Sequence, residues 1–141
     1  MPTGARFDRQ TLAEIRDGKI LGIRAGSRPH RIIGIWAVVV ESRVFVRSWT
    51  VKPRGWWSAL RDEPSGVIQV GKQKLPFRAS FTRSERLRAA VDRAYVAKFR
   101  TPWAAKLARE FDTEKRRATT TELVPIAAVR ASPRRARPAR A

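Results

Sequence analysis

An apolar run that ends in an arginine and a serine, followed by a loop of cations and indoles, is the part of this 141-residue sequence best equipped for chemistry. Val44-Phe45-Val46-Arg47-Ser48 leads into Trp49-Thr50-Val51-Lys52-Pro53-Arg54-Gly55-Trp56-Trp57. Arginine offers a planar fork of donors to a phosphate, serine a hydroxyl, and lysine a mobile point charge. Tryptophan adds a flat apolar face with one N–H donor, suited to a ring system. Strand alternation puts Phe45 and Arg47 on one face and Val44 and Val46 on the other, so Arg47 points away from the core those valines fill. The same residues also suit an ordinary structural role, since paired tryptophans anchor packing and strand-end arginines are commonly solvated.

Protein-borne catalytic chemistry finds little material. His30, the single histidine, sits in the Pro-flanked stretch GSRPH among arginines, and reads as an exposed loop residue. Asp62-Glu63 and Asp112/Glu114 fall in turns without metal-ligand spacing, and the chain has no cysteine. Neither a Walker-type loop nor GxGxxG occurs. No catalytic residue and no metal ligand is therefore assigned. An enzyme of this composition would need a bound cofactor to carry the reaction, with the protein positioning it.

The formal net charge is +19, from 31 Lys+Arg against 12 Asp+Glu. Five of the arginines (130, 134, 135, 137 and 140) lie in the last sixteen residues, which hold no acid, and taking them from +19 leaves +14 on the rest. Such a field attracts polyanions of any kind, nucleic acid included. Arginine exceeds lysine by 24 to 7 in an alanine-rich chain, a bias that a GC-rich coding sequence explains as readily as phosphate binding. With 43% hydrophobic residues the chain can bury a core. Its longest apolar run, Ile32–Val40, is nine residues, less than half of the ~20 needed to span a bilayer, and no apolar stretch follows the charged N-terminus. The expectation is a cytoplasmic protein with no membrane partner.

The elements that must position these groups are short. A capping-box pattern at Thr11-Leu12-Ala13-Glu14 and a stop at Gly18 predict a helix within 8–17. Strands are predicted at Lys19–Ala25, Arg31–Val40, Arg43–Ser48, Gly66–Gly71, Lys74–Thr82 and Ala118–Ile126, with a tight hairpin at Glu41-Ser42. Pro53 and Pro64 bracket room for two helical turns. Thr82-Arg83-Ser84-Glu85 opens a helix carrying Leu87, Val91, Ala94, Tyr95 and Lys98 at helical spacing. Thr101-Pro102 starts another, in which Trp103, Leu107 and Phe111 recur every four residues. Residues 1–126 form one domain on this reading, and 127–141 a disordered Arg/Pro tail able to touch nucleic acid nonspecifically. Six short strands with flanking helices predict a small barrel, because closure removes exposed edges.

The succession RPHRIIGIWAVVV, VFVRS, GWWSALRDEPSGVIQVGKQKLPF, VDRAYVAKF and RRATTTELVPI resembles an uncharacterised bacterial family, number 2255 among the domains of unknown function. It is similar, more distantly, to the flavin split-barrel superfamily of pyridoxamine-phosphate oxidases and deazaflavin-dependent nitroreductases. The resemblance implies a mainly β, α+β fold: a six-stranded split β-barrel of the FMN-binding type, usually a homodimer, with FMN or deazaflavin near the dimer interface. By position, Arg47 and Ser48 match a phosphate-holding strand end, and Lys52 and Arg54 the loop after it. Trp57 matches an aromatic bordering the cofactor, and Arg31 a basic residue on the phosphate side. The loop after Ser48 departs from cofactor-binding members, carrying Trp49 and Val51 in place of Gly-Gly or Thr-Asn, and some members hold no cofactor. The expected function is a flavin- or deazaflavin-binding oxidoreductase that passes a hydride between the cofactor and a small molecule. The alternatives are a basic nucleic-acid-binding accessory protein and a cofactor-less binding module.

Overall fold

The apolar run from Arg31 to Val40 does not form one strand. In a computed structural model, which describes residues 6–27, 31–49 and 55–126, it makes two, β2 (Ile33–Ile35) and β3 (Ala37–Val40), broken at Trp36. The sheet holds five more strands: β1 (Leu21–Ala25), β4 (Arg43–Val46), β5 (Ser65–Val70), β6 (Gln73–Phe81) and β7 (Thr121–Pro125). Their order is β2-β1-β5-β6-β7-β4-β3, with every pair antiparallel. β2 and β3 lie at opposite ends of this order, yet one residue joins them, so the chain itself draws the sheet into a nearly closed barrel. Seven strands thus replace the six expected, and the extra one comes from the break at Trp36.

Alternation fills the barrel as read from the sequence. Leu21, Ile23, Val44, Val46, Ile68, Val70, Phe77 and Leu123 are buried in one cluster. Helix α1 (Arg9–Asp17) contributes Ile15 to it, and α2 (Trp56–Asp62) contributes Leu60. Phe45, on the other face of β4, joins a second core with Val38, where α3 (Glu85–Lys98) and α4 (Pro102–Glu110) pack Leu87, Val91, Tyr95, Phe99, Ala104 and Ala108 against the barrel wall. The hairpin at Glu41-Ser42 turns with φ of 55° and 60°, the left-handed pair that matches strand twist.

Helix ends differ from the expected boxes by a few residues. The N-cap of α1 is Asp8, whose Oδ1 accepts from the Thr11 N–H at 2.7 Å, and that of α3 is Ser84, which accepts from Leu87. Thr101 caps α4 ahead of Pro102, as expected. A one-turn helix, α5 (Glu114–Arg117), precedes the segment expected to be strand, a turn takes Ala118 and Thr119, and β7 begins only at Thr121. The His30 loop and the tail at 127–141 lie outside the described residues. Among the described residues no helix is long and apolar enough to cross a membrane.

Two positions test this packing. A Cβ on Gly66 would fall on the Arg24 carbonyl oxygen and lie 3.1 Å from the Phe77 ring. Gly66→Ala is expected to lower stability by the upper part of the ~1–3 kcal/mol typical of overpacking, read as a lower urea midpoint at unchanged m-value. Lys98 Nζ donates to the Ile15 and Ala37 carbonyls at 2.9 and 2.6 Å, tying α3 to α1 and to the barrel edge. Partial burial pulls its pKa down to about 8. Below that pH the folded and unfolded chains are both protonated at Lys98, and the fold carries the full cost of the half-buried charge. Between pH 8 and the unfolded value the unfolded chain binds more protons, so stability rises with pH. Lys98→Met should flatten the rise in thermal midpoint over that window, and parallel curves for the two proteins would exclude this coupling.

Candidate functional site

The residues singled out by sequence separate into two groups once folded. Arg47 is the largest fully buried side chain among the described residues, with a side-chain exposure of 0%. Its Nε donates to Thr120 Oγ1 at 2.8 Å and its Nη2 to the Arg88 carbonyl at 2.9 Å. Its Nη1 donates to Asp92 Oδ1 at 2.6 Å and to the Phe111 carbonyl at 3.0 Å. Burial lowers its pKa and Asp92 works against the shift. Arg117 braces the same carboxylate from α5, with Nε 3.0 Å from Asp92 Oδ2. The alternation argument holds, because Arg47 does point away from the barrel interior. What it meets there is the protein itself, which occupies four of its five N–H donors.

Ser48 and Trp57 are tied down in the same way. The Ser48 N–H donates to Thr119 Oγ1 at 2.9 Å, and Trp57 Nε1 donates to Thr121 Oγ1 at 3.1 Å. Three successive buried threonines therefore accept from Ser48, Arg47 and Trp57 in turn. A run of three threonines ahead of an apolar strand was the sequence signal for this, since buried hydroxyls need partners. Trp57 is 9% exposed, meets Phe81 edge-on and lies beneath Arg61. Lys52 and Arg54 lie outside the described residues.

The open site lies one residue away. Trp56, next to buried Trp57 on α2, joins Trp36, Trp49 and Trp103 around a cleft of about 330 Å³, whose remaining wall includes Ile33, Ile35, Leu107 and Phe111. Four of the five tryptophans thus converge on one open groove. Their rings are held by neighbours. Trp36 stacks on Phe99 at 3.9 Å between centroids, and its carbonyl accepts from the Tyr95 hydroxyl, which in turn accepts from the Arg47 N–H. Trp49 meets Phe111 edge-on and carries the Arg116 guanidinium 3.7 Å from its ring centre, while Arg116 Nε donates to the Trp49 carbonyl. Trp103 packs edge-on to Trp36 yet remains 70% exposed.

The Trp103–Leu107–Phe111 stripe, expected as an apolar helix face, is the wall of this cleft. Ala104 and Ala108 are the residues of α4 that face the core. A smaller recess of about 230 Å³ adjoins the cleft, sharing Ile33 and Trp56 with it and lined also by Arg24, Arg31, Gly55 and Ala59. Of the expected phosphate-side residues that are described, Arg31 lines the open recess, and Arg47, its guanidinium engaged by the protein, borders the cleft. Among the described residues no carboxylate, histidine or lysine lines either space. Among the described residues no cluster of acids or histidines could hold a metal ion. The arrangement suits a planar apolar ring, and the described residues around it supply no proton-transfer group.

The Arg47 cluster has a measurable consequence. Removing its carboxylate leaves a guanidinium without its counter-charge beneath α3, so Asp92→Ala should cost ~3–5 kcal/mol in chemical denaturation. A loss below 1 kcal/mol would mean that this cluster does not hold the cleft wall to the barrel.

A search among curated proteins found no match to the sequence. The family described as uncharacterized protein conserved in bacteria (DUF2255) matches residues 9–123, which include every described residue that lines the cleft and the recess. The chain belongs to this DUF2255 family.

Proposed function

We propose that this protein binds a planar ring cofactor of the flavin or deazaflavin type in the tryptophan cleft and serves a hydride exchange between that cofactor and a small molecule. The observation that carries the reading is the convergence of Trp36, Trp49, Trp56 and Trp103 on one groove, with Trp103 left 70% exposed. A tryptophan used only as a packing anchor is buried, as Trp57 is. An exposed indole beside three others forms a stacking surface, and base–aromatic stacking is worth ~1–3 kcal/mol per ring. The cleft, at about 330 Å³, falls in the size range of small-molecule sites, which are mostly apolar with a few placed polar groups.

A bound flavin or deazaflavin would supply the hydride chemistry, since the described lining residues include no acid, histidine or lysine. The chain's own residues would hold the ring flat between indoles, exclude water from its face and leave the open side of the cleft to a substrate.

Titrating FMN or a deazaflavin into the protein at low salt should quench tryptophan fluorescence with a micromolar dissociation constant. Trp103→Ala, at a position the fold does not need, should weaken that binding about tenfold, or ~1.4 kcal/mol. Absence of quenching by either compound at micromolar concentration would overturn the reading.

A further inference from the structure

The recess beside the cleft has a chemistry of its own. Its charged side chains among the described residues are two arginines, Arg24 on β1 and Arg31 before β2, set among Ile23, Ala25, Trp56 and Ala59 with no acid among the described lining residues. Neither arginine has an ion pair among the described residues, whereas Arg43, Arg47, Arg86 and Arg117 each hold a carboxylate. The Nε of Arg24 is buried without a hydrogen-bond partner among the described residues, and it is the one buried side-chain nitrogen or oxygen among them in that condition. A donor withdrawn from water and left unmated is costly, and on a cation the cost is relieved most by an anion.

We infer that Arg24 and Arg31 form an anion subsite that takes a phosphate monoester carried by the ligand whose ring lies in the cleft. Ile33 and Trp56 belong to both spaces, so a ring against Trp56 has its substituent at the mouth of the recess. The subsite differs from the strand end that the sequence suggested, because the Arg47 guanidinium is engaged by Asp92, Thr120 and two carbonyls. The ligand named here rests on the ring-binding reading, while the site itself rests on the unmated arginines.

The test compares FMN with riboflavin, which carries the same ring without the phosphate, in the wild-type protein and in Arg24→Gln and Arg31→Gln. Arg31 is solvent-exposed, so its variant folds independently of any packing role of Arg24. The expected result is FMN binding at least tenfold tighter than riboflavin in the wild type. Either substitution should bring that ratio towards one and leave riboflavin affinity unchanged. Equal affinity for the two compounds in the wild type would overturn the subsite and leave the ring reading standing. If neither compound binds, the ring reading fails, and inorganic phosphate becomes the probe at constant ionic strength. A rise in thermal midpoint that is lost in both variants then supports the anion site, and no rise, or one that persists in the variants, overturns it.

Discussion

A guanidinium sealed inside the protein governs how the rest is arranged. Arg47 leaves the end of β4 and reaches α3 through Asp92 and the Arg88 carbonyl, the end of α4 through the Phe111 carbonyl, and the approach to β7 through Thr120. A buried cation tolerates few geometries, since each donor withdrawn from water needs an acceptor in reach. The helices therefore cannot slide over the barrel wall without stranding a charge. Phe111, whose carbonyl accepts from this arginine, presents its ring to Trp36, Trp49 and Tyr95. The aromatic wall and the ionic cluster are two sides of one piece of packing.

Barrel closure has a related logic. One apolar run serves both ends of the sheet because it breaks at Trp36, placing β2 against β1 and β3 against β4. The break releases backbone groups from the ladder, and side chains from α3 take them up: Tyr95 donates to the Trp36 carbonyl and Lys98 to that of Ala37. Unpaired strand edges are a liability, and here they are covered by side chains from the packed helix. The same break sets the Trp36 ring at the cleft, so a topological necessity and the candidate site share a residue.

The charge of the chain divides along similar lines. Several arginines are structural, paired with Glu41, Glu85, Asp92 or Glu122. Those facing the recess have no such partner among the described residues. Net charge says nothing of which arginines belong to which class, because a formal charge counts residues and not their surroundings. Burial with acceptors turns a cation into a clamp, and an apolar recess without acids leaves it a receptor.

Local features were legible in the sequence because they depend on neighbours a few residues away. The alternation along β4 and β5, the helix stop at Gly18, the Thr101-Pro102 start of α4, the Glu41-Ser42 turn and the membership of the family all follow from local pattern or from motif order. Even the direction of Arg47, away from the valine core, came from strand geometry. Its destination did not, because its partners lie 41 to 73 residues further along the chain. The exchange of Trp57 for Trp56 at the cleft has the same origin: adjacent helical residues point about 100° apart, and only the docking of α2 on the barrel decides which is covered. Spacing along the chain determined which side chains could share a face. Folding alone decided which faces met protein, and therefore which arginines and indoles were left for a ligand.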